Sequence, residues 1–97
     1  MAGLRRTGEF DAWLKGVRDT RAKAKVLVRI ERLGSGNPGD VAPVGDGISE
    51  MRVHYGAGYR IYFKRIGEDT VILCAGDKDS QKGDIDKAKT LAREVED

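Results

Sequence analysis

Seven residues of this chain have side chains that could do chemistry together: Arg52, His54, Tyr59, Arg60, Tyr62, Lys64 and Lys78. Six of them stand in residues 47–66, which read GISEMRVHYGAGYRIYFKRI, and Lys78 follows the next apolar run. Cations bind phosphates and stabilise charge that develops on them. A histidine exchanges a proton near neutral pH. A tyrosine ring can stack on an unpaired base. The combination suits RNA cleavage through the 2′-hydroxyl, which needs a base, a charge clamp and an acid but no metal. The competing reading is a solvated sheet face with cross-strand charge pairs, and the presence of a single histidine favours it.

These residues need a hairpin to bring them together. Two β-rich runs flank Gly56, Ala57 and Gly58, which is a hairpin signal. A loop over residues 56–58 makes Tyr55 face Tyr59, Val53 face Ile61 and Met51 face Phe63. On the opposite face His54 then meets Arg60, Arg52 meets Tyr62, and Glu50 meets Lys64. A loop of even length would pair apolar with charged side chains, because side chains alternate along a strand. The apolar face is expected to bury against Trp13, Leu27 and the last helix. The polar face, with His54, Arg60 and Tyr62, is expected to stay open to solvent.

A chain of 97 residues suffices for one domain with one core, taken here as 1–97. No apolar run approaches the ~20 residues of a membrane span, and the opening MAGLRRTGEF has no apolar signal region. A cytoplasmic protein without membrane contact is expected. Cys74 is the only cysteine, so no internal disulfide can form. The net charge of +2 hides an asymmetry: residues 1–48 carry +3, residues 49–66 carry +3, and residues 67–97 carry −4. The hairpin and first half could face an anion; the C-terminal segment is unsuited to one.

Residues 3–6 read as a short strand. Thr7 can cap a helix with Phe10, Trp13, Leu14 and Val17 on one face. Asp19 or Thr20 can cap a second helix running to Leu33, with Ala24, Leu27, Ile30 and Leu33 inward. Its Arg21, Lys23, Lys25, Arg29 and Arg32 read as a solvated basic face, or more sharply as a phosphate-contacting ridge. Residues 34–47 read as the main loop. Gly34, Gly36 and Gly39 match GxGxxG by spacing, but a helix precedes them and prolines follow, so the dinucleotide reading fails. Residues 70–75, TVILCA, suit an interior strand in which Cys74 is a small buried hydrophobe. Asp77, Asp79 and Gln81 resemble a calcium loop only until Lys82, where the required glycine is missing. Ser80 can cap a last helix that buries Ile85, Ala88, Leu91 or Ala92, and Val95. The expected class is α+β: a small antiparallel sheet with an N-terminal αα-hairpin and a C-terminal helix packed on it, the helices against one face.

GISEMRVHYGAGYRIYF followed by AGDKDSQKGDIDKAK resembles the RelE/ParE toxin superfamily. More narrowly it is similar to the HigB-like, phage Gp49-type branch of addiction-module killer proteins. The early FxxWL run, Phe10 to Leu14, is similar too. The sequence departs at Ala57, where the family commonly has proline, and at Asp79-Ser80, where Ser-Thr is usual. The resemblance implies a type II toxin with a RelE/ParE-like fold that cleaves messenger RNA, usually on the ribosome, with no metal or cofactor. It implies a cognate antitoxin, encoded beside it, that neutralises the toxin in a hetero-oligomer. Arg60 falls on the family's most persistent catalytic arginine, and Lys78 on the basic position after the last strand. Arg52 and His54 complete the expected catalytic set; Tyr59, Tyr62 and Lys64 form the expected RNA-binding set. Two other functions stay open: a ParE-like poison of DNA gyrase, and a degenerate toxin kept as an antitoxin- or operator-binding partner.

Overall fold

The computed structural model describes residues 3–96 of the domain expected over 1–97. The elements are β1 (Leu4–Arg6), α1 (Gly8–Gly16), α2 (Thr20–Gly34), β2 (Val41–Gly45), β3 (Ile48–Val53), β4 (Tyr59–Ile66), β5 (Asp69–Gly76) and α3 (Gln81–Glu96). The strands form one sheet in the order β1-β5-β4-β3-β2. The α+β class is as expected. The sheet is mixed, because β1 lies parallel to β5 while every other neighbouring pair is antiparallel.

Helices cover both faces. On one, Met51, Val53, Ile61, Phe63, Ile72 and Ala75 pack with Phe10 and Leu14 of α1 and Val26 and Ile30 of α2. On the other, Ile48, Tyr62, Val71, Leu73 and Cys74 pack with Ala88 and Ala92 of α3. This corrects the expectation that all helices share one face, that the last helix covers Met51 and Val53, and that the hairpin's polar face stays open. The reason lies in β5, whose TVILCA run is apolar on both sides and needs cover on both. Alanines at the α3 contact let that helix lie close.

A β-bulge sets the position of α1. Between Tyr62↔Cys74 and Phe63↔Ile72 the register slips and leaves Leu73 extra on β5. Leu73 and Cys74 then both join the α3-side core. Thr7 docks at this point: its N–H donates to the Ile72 carbonyl at 3.1 Å, and its Oγ1 donates to the Leu73 carbonyl at 2.5 Å. The same Oγ1 accepts from Phe10 N at 3.1 Å, so one hydroxyl caps α1 and ties it to the bulge.

The inner stripe of α2 is Ala22, Val26 and Ile30, with Leu33 partly buried, while Leu27 is exposed. The expected stripe of 24, 27, 30 and 33 is therefore rotated. At 100° per residue those four positions sweep roughly 180°, whereas 22, 26, 30 and 33 stay within about 80°. Only the narrower arc fits one contact face.

Residues 34–47, expected to be loop, contain β2, an edge strand that tolerates Pro43. The turn to β3 is Asp46-Gly47, with φ of 55° and 76°, as a two-residue hairpin turn requires. Among the described residues no helix is long and apolar enough to cross a membrane.

Thr7→Ala removes both the cap and the bulge contact. It is expected to destabilise the fold by about 2 kcal/mol, whereas Thr7→Ser keeps most of the stability. Urea denaturation midpoints of the two variants check this.

Candidate active site

The β3–β4 register pairs Val53↔Tyr59, Arg52↔Arg60, Met51↔Ile61, Glu50↔Tyr62, Ser49↔Phe63 and Ile48↔Lys64. This is displaced by two from the expected pairing, so parity survives and Met51, Val53, Ile61 and Phe63 still share the buried face. The loop spans residues 54–58. His54 and Tyr55 leave the ladder because they find partners elsewhere. His54 Nε2 lies 2.5 Å from Asp40 Oδ2. The Tyr55 hydroxyl donates to Asp19 Oδ2 at 3.2 Å, and Lys25 Nζ sits 5.3 Å from its ring centroid. His54 therefore does not meet Arg60; Arg52 does.

Two arginines opposite each other would repel. Glu50 resolves the conflict. Its side chain is 1% exposed, and its Oε1 accepts from Arg52 Nε at 3.2 Å and Arg60 Nη1 at 3.4 Å. Its Oε2 accepts from the Tyr62 hydroxyl at 3.0 Å and from Gln81 Nε2 at 2.6 Å. Four donors from β3, β4 and α3 thus compensate one buried carboxylate. Glu50 does not pair with Lys64, whose Nζ meets Glu96 Oε1 at 2.7 Å on α3. Tyr62 is 0% exposed, which corrects its expected accessibility: a ring buried under α3 presents no face to a base.

The network continues outward. Arg52 Nη1 reaches Asp40 Oδ1 at 3.6 Å, so this arginine lies between two carboxylates, and Asp40 in turn holds His54. The hydrogen bond from His54 is the main reason that the Asp40 carboxyl lies below its ordinary value, with Arg52 adding to it against some desolvation. Arg29 fixes the surroundings by donating to the Arg52 carbonyl at 2.6 Å and the Pro38 carbonyl at 2.9 Å.

An open cleft of about 500 Å³ lies at the hairpin tip, lined by His54, Arg60 and Lys78 and by the loop from Tyr55 to Gly58. The turn after β5 brings Lys78 there, its N–H donating to the Ala57 carbonyl at 3.4 Å. Arg60 is 15% exposed, and its Nε is buried with no hydrogen-bond partner among the described residues. The spare donor capacity that a ligand could use lies on its Nη groups, which make one long contact, to Glu50, among the described residues. Arg52 and Tyr62 stand behind this cleft, in the Glu50 network. Tyr59 is half-buried on the other face, its ring meeting Trp13 edge-on at 5.9 Å. Lys64 is four residues along β4 from Arg60, roughly 13 Å away. Cys74 is buried beside the Asp84 carbonyl, and desolvation pushes its thiol up to about 12, as suits a core residue.

Sequence reasoning missed Asp40, Glu50 as the hub, and Gln81. One signal was available for Glu50: it stands two residues before Arg52, on the same strand face. Nothing local marks Asp40 as a partner of His54.

The model of the family described as "Phage derived protein Gp49-like (DUF891)" matches residues 12–95. The chain belongs to that family. The Gp49-like match includes Asp40, Glu50, Arg52, His54, Arg60 and Lys78. An "Uncharacterized protein" of Haemophilus influenzae is 47% identical over 93 residues, covering 95% of this chain and 94% of the relative. Membership of this phage-derived family is compatible with a toxin of a toxin–antitoxin pair.

Glu50→Ala leaves two arginines opposed without their carboxylate. It is expected to cost about 3 to 5 kcal/mol in chemical denaturation. Tyr62 supplies a pH signature. Burial, then the Glu50 charge and hydrogen bond, raise its hydroxyl above the ordinary 10.0. The folded chain keeps that proton where the unfolded chain has released it, so stability falls as pH rises beyond about 10. Tyr62→Phe is expected to lose about 1 kcal/mol at neutral pH and to show a shallower fall in Tm between about pH 9 and pH 11.

Proposed function

We propose that this chain is the toxin of a type II toxin–antitoxin system, a metal-independent endoribonuclease that cuts messenger RNA on the ribosome and so blocks translation. A small antitoxin encoded beside it would neutralise it in a hetero-oligomer. The observation that carries this reading is the convergence of Arg60, His54 and Lys78 on one open cleft, with Arg60 held by a single Nη1 contact to Glu50 among the described residues. Membership of the Gp49-like family supports it.

In this reading a phosphodiester lies in the cleft. The 2′-hydroxyl loses its proton, its oxygen bonds to phosphorus, the P–O5′ bond breaks and the 5′-oxygen gains a proton. His54 is the proton-transfer group, and Asp40 holds its ring through Nε2. Arg60 and Lys78 stabilise the charge that builds on the phosphoryl oxygens in the transition state. The planar fork of Arg60 suits two of those oxygens at once. Arg52 positions: it links the Glu50 hub to the Asp40–His54 pair.

Arg60→Ala is expected to lower RNA cleavage by ~10²–10³-fold, with partial recovery in Arg60→Lys. Asp40→Asn is expected to slow cleavage less than His54→Ala. Primer extension on cellular mRNA after induction tests the reading itself. Discrete new 5′ ends that vanish with Arg60→Ala are expected. DNA breaks with intact mRNA would instead mark a gyrase poison, and unimpaired growth with folded protein present would remove the toxin reading.

A further inference from the structure

Cleavage through the 2′-hydroxyl needs a group that takes its proton, and the cleft at the hairpin tip offers few. Its lining is His54, Arg60, Lys78 and the loop from Tyr55 to Gly58. Arginine and lysine side chains are already protonated at neutral pH. The Tyr55 hydroxyl is turned to Asp19, and four donors close off Glu50. That leaves His54, whose two ring nitrogens are not equivalent. Nε2 lies 2.5 Å from Asp40 Oδ2, whereas Nδ1 has no hydrogen-bond partner among the described residues.

Helix α2 builds this asymmetry. Arg29 donates to the Arg52 carbonyl at 2.6 Å and to the Pro38 carbonyl at 2.9 Å, so it ties the segment before β2 to the end of β3. Gly39, with φ of 75°, lies against that guanidinium. A Cβ there would stand 2.8 Å from Arg29 Nη2 and push it off its carbonyls. The next residue, Asp40, is fixed twice. Its carbonyl accepts from the Arg52 N–H at 3.0 Å, and its Oδ1 lies 3.6 Å from Arg52 Nη1. Oδ2 is left for the imidazole. A carboxylate only accepts, so in the neutral ring Nε2 carries the hydrogen and Nδ1 the free lone pair.

We propose that Arg29 is a positioning residue: it seats Asp40 against Nε2, so that Nδ1 of His54 is the general base of the cleavage. The inference rests on the ribonuclease reading and assigns its base and reacting atom. Nδ1 takes the 2′-hydroxyl proton as the 2′-oxygen bonds to phosphorus. As the P–O5′ bond breaks, the 5′-oxygen takes a proton from the Lys78 ammonium, the charged donor in the cleft that can release one. The products are a 2′,3′-cyclic phosphate and a 5′-hydroxyl, and both side chains recover by exchange with solvent.

His54 is the only histidine, so nitrogen NMR of the labelled whole chain reads its ring directly. A neutral ring protonated at Nε2 and bare at Nδ1 is expected. Arg29→Met and Asp40→Ala are each expected to relax the ring toward the tautomer mixture of free imidazole. Each should also lower kcat on the order of 10-fold at unchanged KM, with part recovered in Arg29→Lys. A substrate with sulfur in place of the 5′-oxygen separates base from acid, because a thiolate leaves without a proton. On it the Lys78→Ala defect is expected to shrink and the His54→Ala defect to persist. Relief of the His54→Ala defect makes the histidine the acid and overturns the proposal. A wild-type ring protonated at Nδ1 overturns it too, as does an unmoved ring in both variants or a rise in KM alone. A chain that cuts RNA with the wrong tautomer keeps the ribonuclease reading and loses this inference; a chain that cuts no RNA loses both, whatever its tautomer.

Discussion

A carboxylate almost sealed from water, Glu50, governs one whole face of this sheet. Burying a lone charge is prohibitive, and Glu50 is tolerated only because four donors converge on it. Those donors in turn need it, since Arg52 and Arg60 stand directly opposite across the β3–β4 ladder. The same group draws Gln81, the first residue of α3, onto the sheet. Helix placement, strand pairing and arginine orientation are therefore one electrostatic problem with one solution.

That solution reaches the surface through a relay of contacts. Glu50 holds Arg52, Arg52 approaches Asp40, and Asp40 holds His54. The ends of β3, β4 and β5 carry two connecting segments, residues 54–58 and 77–80, to one place, and the polar groups there are steered from inside. Arg60 differs from Arg52 in a way that matters. Arg52 is shared between two carboxylates, whereas among the described residues the Arg60 guanidinium has one carboxylate contact, 3.4 Å to Glu50. A cation left short of acceptors at the wall of an open cleft is suited to an incoming anion.

Parity is what made the core face readable. Strand side chains alternate, so a pairing error of two residues at the hairpin left Met51, Val53, Ile61 and Phe63 on the correct side. The loop length was hidden because His54 and Tyr55 are drawn off by Asp40 and Asp19, which are distant in sequence. Asp46-Gly47 was a legible turn signal that the prolines and glycines around it obscured. The covering of Tyr62 was legible only indirectly, through the two-sided apolarity of β5. For α2, spacing by threes suggested a stripe too wide to bury, and the geometry chose the narrower one. Arg60, His54 and Lys78 were legible as a set because strand ends and short turns keep them close. Asp40 and Gln81 were not, since their roles arise from tertiary contact alone.

Cys74 gives the molecule an internal reporter. Its thiol lies on the sheet face under α3, is the sole cysteine in the sequence, and burial pushes it away from the thiolate form. Where the packed form returns faster than the thiol reacts, the rate of modification scales with the population of forms in which that burial is relieved. The reactivity of one native side chain therefore reads how firmly the packing around β5 is held, with no label added to the chain.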